Sequence, residues 1–164
     1  MTETDKTPTN ETEMMPAWRR ETYGSADGFR LEQIPVPTPR SGEVVLRVEA
    51  TALHAGDVRL MLGEPLLVRP IFGLTRPKYP VRGMEVAGTV VAVGPNAIGA
   101  ELGERVVGEL TGGGGLASHV AASAARLVPI PPDVTSETAA CLTISAGTAW
   151  QALDRAGIGF RAAK

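Results

Sequence analysis

The chain has 164 residues, 43% of them hydrophobic and 21% charged, with a formal net charge of −2. That length suffices for one domain with a real core and is too short for two large ones. The small net charge supplies no dense basic stripe for nucleic acid or an anionic membrane surface, and no apolar run reaches the ~18 residues of a membrane-spanning helix.

Glycine (19) and proline (13) are abundant and aromatics make up only 4%, so Val, Ala, Leu and Ile must fill the core. Short Val-rich runs between glycines and prolines predict strands and turns over long helices. Cys141 is the single cysteine. An intrachain disulfide and a four-cysteine zinc lobe are thereby excluded, and a reducing, cytoplasmic setting is expected.

Residues 1–14 hold Glu3, Asp5, Glu11 and Glu13 against Lys6, with little to bury. They read as a disordered leader and not as a secretory signal, with Met14 or Met15 as alternative starts. A first strand is predicted over 18–22 and a second over 29–34. Residues 43–53, EVVLRVEATAL, alternate polar and apolar side chains, the pattern of a half-buried strand. Residues 57–62 predict a short helical turn closed by Gly63, with Asp57 as its cap. Residues 64–80 carry four prolines and predict a long loop. Arg69, Arg76 and Lys78 within it, with Arg82 just beyond, read as a solvated basic loop.

Residues 86–93 are apolar on both faces apart from Thr89, as in a central strand. Gly83, Gly88 and Gly94 suit tight turns and close backbone packing, and Glu85 is a partner for Arg82 or another arginine. Further strands are predicted over 105–110, 116–122 and 126–130, with Gly112 to Gly115 as a hairpin turn. Pro131 and Pro132 end the sheet. Asp133 or Thr135 then caps an Ala-rich helical region over 136–153, broken near 145–147, with Cys141 in its core. His119 reads as an ordinary strand residue.

The segments IPVPTPRSGEVVLRVEATALHAGD, YPVRGMEVAGTVVAVG, GERVVGEL, LASHV and LVPIPPDVTSETAACLTISAGTAWQAL occur in that order. Together they resemble the N-terminal part of the medium-chain dehydrogenase/reductase superfamily, in its zinc-independent quinone oxidoreductase-like branch. The resemblance implies a mainly β, GroES-like, partly open barrel with a few short helices over residues 15–157. It also implies a nicotinamide cofactor, NADPH, and a small-molecule quinone or enone substrate.

In zinc-dependent members of that superfamily the first metal ligands fall on His54 and Met84. A thioether is a poor zinc ligand, so no zinc is expected. The resemblance places His54 and Arg59 beside the substrate as catalytic residues and Thr148 beside the nicotinamide. The Gly-rich nucleotide-binding domain that follows in the family is not expected here. Gly157, Gly159 and Ala162 match its fingerprint by letter but follow a helix, and residues 158–164 read as a truncated tail. The expected function is the substrate-side domain of an NADPH-dependent quinone or enone reductase, inactive alone. The alternative is a non-catalytic module or a degenerate relic. Apolar surface is expected around 86–93 or the Ala-rich helices, met by self-association or by a partner chain carrying the nucleotide-binding fold.

Overall fold

The computed structural model describes residues 12–158. The leader expectation therefore lies almost wholly outside the described residues, and so does most of the tail. Two antiparallel sheets dominate. Strands β1 (Met14–Arg19) and β2 (Arg30–Pro35) pair with each other. The first strand thus begins and ends earlier than the sequence suggests. Strands β3 (Glu43–Ala52), β4 (Glu85–Val93), β5 (Arg105–Glu109), β6 (His119–Ser123) and β7 (Leu127–Pro129) form a second sheet in the order β6-β3-β4-β5-β7. Bridges at Ala17–Ala117 and Arg19–Val81 stitch β1 to the second sheet's connections. The result is a partly open barrel, mainly β, with a few short helices.

β4 is the central strand, as its two apolar faces predict. Adjacent residues point to opposite sides of the pleat. On one side Val86 and Val90 join Val44, Leu46, Val106, Val120 and Leu127 in the main core. On the other, Ala87 packs with Val107, Ile130, Ala139 and Ala140. Burying one such Val or Leu fully contributes about 2 kcal/mol. The far end of the strand emerges from this cover, where Val91 and Val93 are exposed.

Gly88 permits a close approach of two strands in the sheet. A Cβ there would lie 2.2 Å from the Arg47 carbonyl oxygen, next to a register shift in the β3–β4 ladder. Backbone, unlike a flexible side chain, cannot swing aside.

Helix α1 (Ala55–Leu62) follows β3 and ends on Gly63, whose φ of +72° is the left-handed conformation that glycine adopts without strain. The proline-rich loop is not wholly irregular, for α2 (Arg69–Phe72) forms within it. Gly112 to Gly115 do not make a hairpin. β5 and β6 stand on different sides of the sheet, and the glycines carry the chain across, pairing with residues 82–83 on the way. α3 (Ser136–Ala140) is capped by the Thr135 hydroxyl, and α4 (Ser145–Arg155) follows. The helical region therefore breaks at 141–144, earlier than expected. Cys141 lies at this break and is exposed, contrary to the core placement.

Glu49 ties α3 to the sheet. Its carboxylate accepts from the Thr89 and Ser136 hydroxyls, both at 2.6 Å, with the Arg105 guanidinium at 3.9 Å. These hydrogen bonds, with the nearby Arg105 and Arg47 charges, hold its carboxyl below the ordinary carboxylate range despite partial burial. The depressed value stabilises the fold above that range, and the contribution disappears as pH falls through it.

Two outcomes follow for stability in urea. Gly88→Ala lowers it by about 3 kcal/mol, because β3 and β4 must separate locally; an unchanged midpoint would contradict the close approach. Glu49→Gln costs about 1 kcal/mol at pH 7, discounted for its partial exposure, and the gap to the parent closes below about pH 4. A gap independent of pH would contradict the charge assignment.

Candidate functional site

The residues singled out in the sequence converge partly, on α1. His54 is its N-cap: Nδ1 accepts from the Gly56 N–H at 2.9 Å. Asp57, three residues on, accepts the His54 backbone N–H at 3.2 Å, which completes a reciprocal capping box. The cap is thus His54, with Asp57 as its reciprocal partner and not the cap itself. Because Nδ1 is an acceptor, the neutral ring carries its proton on Nε2. That atom is buried without a hydrogen-bond partner, 3.6 Å from Asp57 Oδ2. Arg59 lies further along α1, exposed, its guanidinium making no hydrogen bond or ion pair among the described residues.

Asp57 is only 4% exposed. Its Oδ1 accepts from the Gly83 N–H at 3.2 Å, so one carboxylate joins the helix cap to the segment leading into β4. Arg82 adds a second tie, donating from Nη2 to the Leu60 carbonyl at 3.1 Å. The guanidinium is buried at 4% exposure, which overturns its place in a solvated loop. Burial pulls its pKa down, while Tyr23 and Asp57 favour its charge. Its Nη1 has no partner.

Against these residues lies an apolar cavity of about 360 Å³, walled by Trp18, Phe29, Leu53, Val58, Met61 and Leu116, with Asp57 and Arg82 as its charged residues. The size suits a small organic ligand. Arg59 and His54 stand on the same helix but are not in this wall.

Glu85 does not pair with Arg82. It is 1% exposed, and its Oε1 accepts from the Thr143 hydroxyl at 2.9 Å and the Ile144 N–H at 2.7 Å. This carboxylate fixes the break between α3 and α4 and so sets the start of α4. Thr148 is exposed on that helix, none of whose residues is buried. No hydrogen bond or ion pair joins Thr148 to His54 or Arg59 among the described residues. His119 stands in β6 as an ordinary strand residue beside Ser118.

Sequence reasoning missed Arg82 and the anchoring role of Glu85. The His54-to-Asp57 spacing of N-cap to N3 was a readable signal for the capping box. Nothing local announces the other two.

A partly open, antiparallel barrel with a capped helix beside an apolar cavity defines an alcohol dehydrogenase-type domain. The pattern of the alcohol dehydrogenase GroES-like domain matches residues 40–132. The chain belongs to that family, within the medium-chain dehydrogenase/reductase superfamily. It is 38% identical over 143 residues to a chloroplast envelope quinone oxidoreductase homolog of Arabidopsis thaliana, covering 85% of this chain and 42% of the relative. The fold matches the quinone oxidoreductase of Coxiella burnetii with a TM-score of 0.80 at 22% identity, over 88% of this chain and 46% of that one. It also matches a mycobacterial protein, Rv1454c, complexed with NADPH, with a TM-score of 0.71 at 30% identity, over 85% and 39%. The chain spans less than half the length of these relatives.

His54→Ala removes the cap and lowers stability by about 1 kcal/mol, whereas His54→Asn, a strong capping residue, retains it. Equal losses for both in thermal melts would show that the ring's cap bond contributes nothing.

Proposed function

We propose that this chain is the substrate-side domain of an NADPH-dependent, zinc-independent quinone or enone oxidoreductase. The observation that carries the reading is the apolar cavity on α1. Quinones and enones are flat, largely apolar molecules, and such a wall suits them. Membership of the family and the quinone oxidoreductase relatives support it.

Zinc does not fit the donor set. His54 is committed through Nδ1 to Gly56, Glu85 is committed to Thr143 and Ile144, and Met84 offers a thioether. An activated acceptor lowers the need for a Lewis acid, because its carbonyl already draws electron density. When bound, NADPH supplies the hydride. The resemblance assigns Arg59 and His54 to the substrate side, although neither lines the cavity. The free Arg59 guanidinium stabilises negative charge on a carbonyl oxygen that projects out of the cavity toward it. His54 holds its proton at Nε2 against Asp57, and delivering it requires the ring to turn away from that carboxylate. Thr148 presents its hydroxyl to the nicotinamide side. The described residues hold no strand–glycine–helix turn for a pyrophosphate, so the reading places most cofactor contacts outside them and expects no turnover by this chain alone.

A second reading, a non-catalytic module that docks on a partner chain, is favoured by the uncovered α4. Both readings are met by titrating the 164-residue chain with NADPH and following nicotinamide fluorescence. No saturation in the micromolar range is expected. Saturable micromolar binding would overturn the division of labour.

A further inference from the structure

A second concave site lies in the loop after α2. Residues Gly73 to Lys78, with Arg19, Glu21 and Pro80, line a cavity of about 480 Å³. The loop is pinned at both ends. The Lys78 N–H donates to the Phe72 carbonyl at 2.7 Å, and the Tyr23 hydroxyl donates to the Gly73 carbonyl at 2.5 Å. Gly73 has a φ of +121°, and a Cβ there would lie 1.9 Å from the Arg76 carbonyl oxygen, so this turn requires glycine.

The lining is rich in donors that nothing accepts. Among the described residues, the backbone N–H groups of Leu74, Thr75 and Arg76 and the Thr75 hydroxyl have no hydrogen-bond partner. Arg76 and Lys78 are exposed and have no carboxylate within 4.0 Å among the described residues, the Lys78 ammonium resting 5.4 Å from the Tyr79 ring centre. Arg19 is already engaged, at 2.7 Å from Glu21 and 3.2 Å from Glu32. The uncompensated charge therefore sits at the Arg76–Lys78 end, and Glu21 repels an anion from the other.

We propose that this cavity binds a small phosphate ester, its phosphate seated between Arg76, Lys78 and the 74–76 backbone. A phosphate brings three acceptor oxygens and close to two negative charges. That matches several unmatched donors beside two free cations better than a single carboxylate or a neutral group does. The guanidinium and ammonium give charge-assisted hydrogen bonds, and Thr75 adds a neutral donor. The site stands on the loop's own chemistry and is independent of the quinone reading.

The probes are pyrophosphate and glycerol 3-phosphate, titrated into the chain by calorimetry. Saturable binding with a Kd below about 1 mM is expected, weakening as salt rises. The double variant Arg76→Ala, Lys78→Ala should keep the parent melting temperature, because both side chains are exposed, and bind about tenfold or more weakly. Arg155→Ala, which removes an exposed arginine from α4, should bind like the parent. No saturation by about 10 mM would overturn the proposal. So would undiminished binding by the double variant, an equal loss in Arg155→Ala, or retention on phosphatidate vesicles without binding of either soluble probe.

Discussion

The Asp57 carboxylate is the hinge of this architecture. It accepts one N–H from the cap of α1 and another from Gly83, just ahead of the central strand. A charge with 4% exposure is costly to bury unless its oxygens are satisfied. Here each oxygen is given to a different part of the backbone, so the helix and the strand are located against one another. Arg82, donating to the last turn of the same helix, repeats the tie from the opposite direction. The position of Arg59, the orientation of the His54 ring and the mouth of the apolar cavity all depend on this joint.

A second buried carboxylate has the matching task on the other side of β4. Glu85 satisfies the Ile144 N–H and the Thr143 hydroxyl, at the break between α3 and α4. Two acidic residues with negligible exposure thus flank the start of one strand, and each orders a helix that bears a candidate functional residue. Both are satisfied chiefly by backbone and hydroxyl donors, and Asp57 also lies near the buried Arg82 and 3.6 Å from His54 Nε2.

The framework was legible in the sequence where local pattern and tertiary burial agree. The run over 43–53 formed β3, although Val44, Val45 and Leu46 are all buried where the alternation predicts a half-buried strand; the two-faced apolar run formed β4, and Gly63, Gly88 and Thr135 took the roles their chemistry suggests. The site was legible as far as α1 and no further. The partner of Glu85 lies 59 residues away at Ile144, and that of Arg82 lies 22 residues away at Leu60; no periodicity encodes either contact. Arg82 looked solvated because four cations cluster in one stretch, but the Gly112–Gly115 crossing and α1 enclose it. Cys141 looked buried because its neighbours are apolar, yet the helix ends beneath it.

The central claim is that the cavity on α1 receives a flat, acceptor-bearing organic molecule. Amide chemical shifts of the isotopically labelled chain, followed as tetramethyl-1,4-benzoquinone is added, test it most directly. Saturable shifts grouped at Phe29, Leu53, Val58, Met61, Arg82 and Leu116 are predicted. Saturable shifts clustered elsewhere, with these amides unmoved, would contradict the account.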